Sequence, residues 1–335
     1  MRQLWTSQLP SYYYRHKRRN GSNYQFFKRF IIMKTKFNSV LIIGMGLIGS
    51  SISRALNENH VANNVYGLDS NDKVIKKCLE LNLLIQGETN LENFNTQFDL
   101  IIICTPLSKY EKIFFDIASY ISEPTLVTDV GSTKMSTIND YNKIKKNTNI
   151  NFIPSHPIAG LEKSGPEFGF SKLFQNRYCI LTPFKQDDKA IDSISQMWKS
   201  IGMTIEIMDA ERHDRVLAMT SHIPQLIAFS VVGTATELES HMRDEVIKYS
   251  AAGFRDFTRL AGSDPIMWRD VYQKNKNAVL EMLGRFSEDL STYQKAIRNG
   301  DLEFLENKFN QSKKIRKEIE DIGQAGSFDP TEKKN

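Results

Sequence analysis

The sequence has few cysteines and no long apolar run. Its three cysteines, Cys78, Cys104 and Cys179, are widely spaced and form no Cys-x-x-Cys pair. This usage argues against a disulfide framework and against a zinc site, and it fits a reducing compartment. No stretch of about 18 consecutive apolar residues is present, so we expect no membrane-spanning helix and no membrane partner. Because no secretory signal core is visible either, the sequence predicts a cytoplasmic protein.

Acidic residues are absent from the first 36 positions, which hold nine lysines and arginines. The whole chain has a net charge of +5, so residues 37–335 carry a net charge of −4. A mildly acidic body of this kind has no general attraction to phosphate backbones, and we expect no nucleic-acid partner. Residues 1–36 have three interpretations: a disordered or spurious extension with Met33 as the true start, which we favour, a basic arm, or a transit peptide.

Short apolar bursts alternate with longer mixed segments in the first part of the chain, and helical spacing dominates the rest. This rhythm predicts an α/β domain over residues 37–209, with a doubly wound parallel sheet covered on both faces. Residues 210–322 are predicted to be all-helical, and residues 323–335 to form a frayed tail. The bursts are SVLIIG (39–44), VYGLD (65–69), DLIIICTP (99–106), TLVTDVGS (125–132), NFIPSHP (151–157), YCILTP (178–183) and MTIEIMD (203–209). The helical segments are 211–236, 239–251, 266–298 and 301–322.

Three glycines follow the first burst in the segment IIGMGLIGSS. Gly44 permits a tight turn, Gly46 permits backbone to approach a pyrophosphate, and Gly49 permits close packing of helix on sheet. Leu47 and Ile48 would begin the helix whose amino terminus faces the negative charge. Because the motif lies between a strand and a helix, it indicates a Rossmann-type dinucleotide-binding domain.

The expected partner of the glycine motif is an acidic residue at the end of the second strand, and Asp69 occupies that place. No arginine follows it immediately to receive a 2′-phosphate, so NAD is favoured over NADP. The alternative is that Asp69 caps the next helix. Thr105 and Pro106 end the next apolar burst, where they would run under the nicotinamide ribose or form a simple turn.

A serine and a histidine follow two later strands of the predicted sheet. Ser132 lies in TDVGSTK, and His156 lies in SHPIAG one strand further along. Both would emerge at the same sheet edge, where a serine could orient a histidine. A histidine with a pKa of about 6.5 is suited to act as a general base. The alternatives are a helix cap for Ser132 and a satisfied core residue for His156.

The helical half contains further candidate site residues. His222 lies in SHIPQ, and Trp268 follows Arg255 and Arg259, which are one helical turn apart. Such arginines usually belong to a solvated face. Here apolar residues are interleaved with them, so we expect at least one to turn inward toward an anionic partner such as a carboxylate. No cluster has metal-ligand spacing, and no metal is expected.

The motifs GMGLIGSS, DVGSTK, HPIAG with EKSG, SHIP and GFRDFTRLAGSDPIMWRD occur in this order over residues 38–322. Together they resemble the prephenate and arogenate dehydrogenases of tyrosine biosynthesis. The resemblance implies a homodimer that forms through the helical domain. It also implies oxidative decarboxylation: a hydride passes from ring C4 to NAD, carbon dioxide leaves C1, and 4-hydroxyphenylpyruvate or tyrosine is formed.

The same resemblance implies residue roles. His156 would take the C4 hydroxyl proton, Ser132 would contact that histidine and hydroxyl, and Arg259 would bind the ring carboxylate. Two departures, Leu161 for a common threonine and Gln225 for a frequent histidine, leave the choice between prephenate and arogenate open. The other implied substrate-binding residues are His222, Trp268, Glu162 and Lys163. The alternatives are another two-domain dehydrogenase acting on a small hydroxy acid, or a non-catalytic NAD-binding protein.

Overall fold

The computed structural model describes residues 37–144, 149–161, 163–237 and 240–322. The proposed extension over residues 1–36 and the tail over residues 323–335 lie outside the described residues, as does Glu162.

Six strands form one sheet in the order β3-β2-β1-β4-β5-β6, and every neighbouring pair is parallel. This is the strand order of the doubly wound dinucleotide-binding fold, so the predicted fold class is confirmed. The strands are β1 (Phe37–Ile43), β2 (Ala62–Leu68), β3 (Gln86–Glu88), β4 (Leu100–Ile103), β5 (Thr125–Asp129) and β6 (Ile150–Ile153). The helices between them are α1 (Leu47–Glu58), α2 (Asp72–Glu80), α3 (Tyr110–Tyr120) and α4 (Met135–Asn142).

The sheet is buried on both faces. In β1, Val40 and Ile42 belong to one apolar cluster, while Leu41 and Ile43 belong to the cluster on the other side. Successive strand side chains point to opposite faces, so a strand covered twice must be apolar at every position. This is why the strands read as continuous apolar bursts in the sequence.

The burst 151–157 is not a single strand, contrary to the sequence prediction. Pro154, which has no N–H group to donate to a sheet, separates β6 from a second, three-stranded sheet. In that sheet β7 (Ser155–Pro157) is antiparallel to β8 (Tyr178–Leu181), and β9 (Thr204–Ile207) is parallel to β8. Helix α5 (Asp188–Ser200) connects β8 to β9. His156 therefore lies opposite Ile180 in the small sheet instead of following a strand of the large one.

The helical half begins at Ala210, directly after the small sheet. A π-helical turn, Ala218–His222, separates its first two helices, and the predicted helix 266–298 is divided at Asn275. The helices are α6 (Ala210–Leu217), α7 (Ile223–Thr236), α8 (Ser240–Lys248), α9 (Ala252–Ala261), α10 (Pro265–Lys274), α11 (Lys276–Asn299) and α12 (Leu302–Asp321).

The stretch Ala210–Ala235 is long and apolar enough to cross a membrane by length and composition alone, which the sequence analysis did not anticipate. One third of its most apolar 18-residue window, 33%, is buried within the chain. Apolar side chains of α7, among them Leu226, Phe229 and Val232, are half-buried. The helix thus keeps apolar surface that the described part of the chain does not cover.

Candidate active site

The glycine loop has the backbone geometry that the motif predicts. Gly44 has a φ of +96°, and a Cβ atom there would lie 2.8 Å from the carbonyl carbon of Cys104. A Cβ atom on Gly49 would collide with the carbonyl oxygen of Gly44. A Cβ atom on Gly46, by contrast, would meet no described atom within 4 Å. The loop therefore leaves open space in front of α1, at the position where a pyrophosphate would approach.

The first turn of α1 is free to bind an anion. Its N-cap is Gly46, and no side chain of the described residues caps it. The first N–H groups of a helix need partners, and they favour negative charge. Leu47 is buried and Ile48 half-buried at this turn, so their backbone groups, and not their side chains, are suited to face a cofactor.

Asp69 contacts the glycine loop. One carboxylate oxygen accepts a hydrogen bond from the backbone N–H of Met45 at 2.9 Å, and the other accepts from that of Asn71 at 2.9 Å. Asn71 is itself the N-cap of α2, so the alternative role of Asp69 as helix cap is not observed. At the end of β4, the Thr105 hydroxyl is buried and has no hydrogen-bond partner among the described residues. Pro106 follows and begins a short 3-10 turn.

His156 belongs to a buried row of side chains. Its Nδ1 lies 2.8 Å from Nε2 of His213, and Nδ1 of His213 lies 2.8 Å from a carboxylate oxygen of Asp214. Burial lowers the pKa of His156 well below its usual value, and His213 and Lys134 lower this pKa further. Burial also lowers the pKa of His213, against the opposing effect of Asp214. Both rings are therefore neutral at physiological pH.

Ser132 lies half-buried in the turn between β5 and α4. The structure does not bring it into a hydrogen bond with His156, whose Nδ1 is used by His213. Nε2 of His156 has no hydrogen bond to any residue that the structure describes. The role of Ser132 therefore stays a prediction.

A buried ion pair supports the strand that carries His156. The Lys134 ammonium donates to a carboxylate oxygen of Asp129 and to the carbonyl oxygen of Ser155, each at 2.6 Å. The other carboxylate oxygen of Asp129 accepts from the backbone N–H of Ser155 at 3.0 Å. Both charged side chains are fully buried. Since Asp129 ends β5, these contacts fix His156 beside the carboxyl edge of the large sheet.

His222 and Trp268 form a second polar group. His222 is fully buried, and burial lowers its pKa to about 4. Nδ2 of Asn275 lies 3.2 Å from Nδ1 of His222 and also donates to the carbonyl oxygen of Asp214 at 2.8 Å. Nε2 of His222 and Nε1 of Trp268 are buried without a partner among the described residues, and the two rings are 6.0 Å apart.

Arg259 lies in the last turn of α9 and is exposed, as is Arg255. The expectation that one of them turns inward is not met in the single chain, because no residue of α9 is buried. The buried side chain of Gln225 donates to the carbonyl oxygen of Leu260 at 2.7 Å and so links α7 to α9 beside Arg259. The side-chain amide of Gln225 is thus already hydrogen-bonded to the protein backbone.

The loop after His156 carries Leu161 and Lys163 on its surface. Leu161 is 40% exposed, and the Lys163 ammonium lies 5.1 Å from the centre of the Phe168 ring. The end of this loop is held against α1 by Arg54, which donates to the carbonyl oxygens of Gly169 and Pro166 at 2.9 and 3.0 Å.

Sequence reasoning missed His213, Asp214 and Asn275 as site residues. The adjacent histidine and aspartate in the segment DAERHD were the available signal. Asp214 also caps α4, since its carboxylate accepts from the backbone N–H groups of Lys134 and Met135 at 2.7 and 3.0 Å. One residue of the helical half thus orients the histidines and caps a helix of the other half.

Two family models match the chain. The nucleotide-binding domain of prephenate dehydrogenase matches residues 52–207, and the dimerization domain of prephenate dehydrogenase matches residues 209–311.

Similar proteins agree with these matches. The cyclohexadienyl dehydrogenase of Zymomonas mobilis is 36% identical over 84% of this chain and 96% of its own length. The prephenate dehydrogenase of Bacillus subtilis is 31% identical over 83% of this chain and 75% of its own. The crystal structure of Aquifex aeolicus prephenate dehydrogenase with hydroxyphenyl propionate and NAD+ is 33% identical, with a TM-score of 0.79 over 84% of this chain and 98% of that chain. The resemblance seen in the sequence motifs is therefore confirmed, and the chain belongs to the prephenate dehydrogenase family of oxidoreductases.

Proposed function

We propose that this enzyme catalyses the NAD-dependent oxidative decarboxylation of prephenate, arogenate or both. The observation that carries the proposal is the neutral, buried imidazole of His156, whose Nδ1 is committed to His213 while Nε2 has no described partner. Strands β1, β4 and β5 are neighbours. The glycine loop follows β1, which is separated from β5 by β4 alone. Since adjacent strands are about 4.8 Å apart, the glycine loop and the end of β5 lie roughly 10 Å apart along the carboxyl edge of the large sheet.

The glycine loop supports NAD as the cofactor. The uncapped first turn of α1 and the open space at Gly46 suit a pyrophosphate, and Asp69 is placed at the strand end where ribose hydroxyls bind. Thr105 offers a buried hydroxyl that lacks a partner among the described residues. When bound, NAD supplies the hydride acceptor. Backbone groups of Leu47 and Ile48 and the turn at Pro106 complete the proposed cofactor contacts.

His156 is the proposed general base for the C4 hydroxyl, and Ser132 is proposed to orient that hydroxyl. Because Nδ1 of His222 accepts from Asn275, its Nε2 carries a hydrogen, as does Nε1 of Trp268. Two buried donors without described partners suit substrate oxygens, since a buried unpaired donor costs about 1–3 kcal/mol. Arg259 is proposed as the anchor for the ring carboxylate. Lys163 and Glu162 are proposed to line the approach.

We assign residues 37–209 to cofactor binding and residues 210–322 to substrate binding and dimerisation. A homodimer is supported by the dimerization-domain match and by the uncovered apolar side chains of α7. Exposed apolar residues of α11 and α12 add to this surface; they include Leu290, Ile297, Leu302 and Phe309. A cytoplasmic location is proposed for the enzyme. A dehydrogenase for small hydroxy acids and a non-catalytic NAD-binding protein are not favoured by the family matches.

The decisive experiment is a side-by-side assay of the full chain with prephenate or arogenate and NAD or NADP. We expect NADH absorbance and carbon dioxide release with at least one of the two substrates, and a preference for NAD. Folded protein that gives neither signal with either substrate would refute the proposed function.

A second experiment tests His156. We expect His156→Asn to bind NAD normally while its kcat falls by about 10²-fold or more, as loss of a general base does. His60→Asn is the matched control, because His60 is exposed and its φ of +53° suits asparagine. Unchanged turnover in His156→Asn would make His156 a structural residue.

A further inference from the structure

We infer that His213, held by Asp214, fixes the tautomer of His156 and shares the proton that His156 takes from the substrate. This inference rests on the proposed function for its catalytic part. His213 does not need to touch the substrate, so it acts as a positioning residue through His156.

The hydrogen-bond chain determines the tautomers. The Asp214 carboxylate lies within 3.0 Å of three nitrogen atoms, namely the backbone nitrogens of Lys134 and Met135 and Nδ1 of His213. A carboxylate only accepts hydrogen bonds, so Nδ1 of His213 carries a hydrogen and Nε2 of the neutral ring carries a lone pair. That lone pair accepts from Nδ1–H of His156 across 2.8 Å. His156 is thereby left with its lone pair on Nε2, the nitrogen without a described partner.

The proton need only move along this row and return. The C4 hydroxyl proton passes to Nε2 of His156 as the hydride leaves C4. The Nδ1 proton of His156 then shifts toward Nε2 of His213, which brings the positive charge nearer to Asp214. When the bond between C1 and the carboxyl carbon breaks, its electron pair enters the ring and the C4 oxygen recovers a proton. The product is a phenol, and the protein neither gains nor loses a proton.

The charges around the row favour this return. The charge of Lys134 lowers the pKa of both rings, and His222 lowers the pKa of His156 further. Asp129 and Asp214 oppose these effects at His213. A ring of low pKa is a strong acid once protonated, so the transient imidazolium readily gives its proton back to the oxygen.

Two substitutions of His213 separate hydrogen bonding from folding. His213→Gln keeps an amide oxygen that can accept from Nδ1–H of His156, whereas His213→Leu removes every acceptor. We expect kcat of His213→Leu to fall roughly 10²-fold and kcat of His213→Gln to fall less, with both KM values within about twofold of wild type. Asp214 is not substituted, because its carboxylate also caps α4. His60→Asn again serves as control.

A nitrogen NMR measurement tests the tautomer without substrate, and so independently of the proposed function. The spectrum of 15N-histidine protein, with the His156 signal assigned by its loss in His156→Asn, should show the Nδ1–H form. An Nε2–H form in wild type would overturn the inference even if the enzyme is active. So would wild-type kcat in folded His213→Leu, or equal losses in the two variants. If His213→Leu does not fold, the NMR result and the kcat of His213→Gln decide.

Discussion

Replacing Lys134 by methionine should lower the free energy of unfolding far more than the loss of an exposed ion pair of the same length would. Nζ of Lys134 lies 2.6 Å from a carboxylate oxygen of Asp129, and both side chains are fully buried. Methionine retains much of the apolar volume but removes the ammonium. The Asp129 carboxylate then keeps its backbone donors at Gly131 and Ser155 but loses its counter-charge.

The expected loss follows from leaving a charge buried alone. Removing one partner of a buried pair costs about 3–5 kcal/mol, a large part of the total stability of about 5–15 kcal/mol that domains have. The double variant Asp129→Asn/Lys134→Met should be more stable than Lys134→Met, because it contains no isolated charge.

Lys112→Met is the matched control. Lys112 and Asp116 are also 2.6 Å apart, but their side chains are 77% and 44% exposed. An exposed helical pair contributes only about 0.3–0.5 kcal/mol. Urea unfolding at one fixed protein concentration measures all variants, since an oligomer would otherwise shift the midpoint. Equal losses for Lys112→Met and Lys134→Met would refute the argument from burial.

Three further predictions concern binding and pH. Arg259→Ala should raise KM for the substrate and leave KM for NAD unchanged; an unchanged substrate KM would place the carboxylate anchor elsewhere. Gly46→Ala should change the midpoint of unfolding little, because a Cβ atom at this position meets no described atom within 4 Å, yet it should weaken NAD binding in a fluorescence titration, because that Cβ atom would enter the space proposed for the pyrophosphate. His222 has a folded pKa of about 4 against about 6.5 in the unfolded chain. Between these two pH values the unfolded state therefore binds more protons than the folded state, and the free energy of unfolding falls by about 3 kcal/mol as the pH drops from 6.5 to 4. His222→Gln should make the free energy of unfolding depend less steeply on pH in acid titrations followed by circular dichroism.

The features that the sequence predicted depend on short stretches of chain. The backbone geometry at Gly44 and Gly49 was predictable because a Cβ atom at either position would meet backbone atoms of its neighbours. Asp69 follows at a fixed place after β2. The alternation of bursts and helices was equally informative, because strands buried on both faces must be apolar throughout.

The features that the sequence did not reveal depend on contacts between distant residues. His156 and His213 are 57 positions apart, and no local pattern states that their rings meet. Pro154 lies within an apolar segment, so the sequence did not indicate that the chain passes there from the large sheet to the small one. The expectation that Ser132 and His156 emerge at one sheet edge assumed that both follow strands of the large sheet, whereas His156 lies in the small sheet.

The contact between His156 and His213 also bears on how such chains can recombine. His156 lies before the last strand, Thr204–Ile207, whereas His213 and Asp214 lie beyond the start of the helical half at Ala210. A chimaera joined near residue 209 would inherit the complete glycine loop and His156 from one parent, and the hydrogen-bond partner of His156 from the other. Exchange at this joint should therefore succeed only between parents that both supply the histidine and aspartate, even when each half folds well in its own parent.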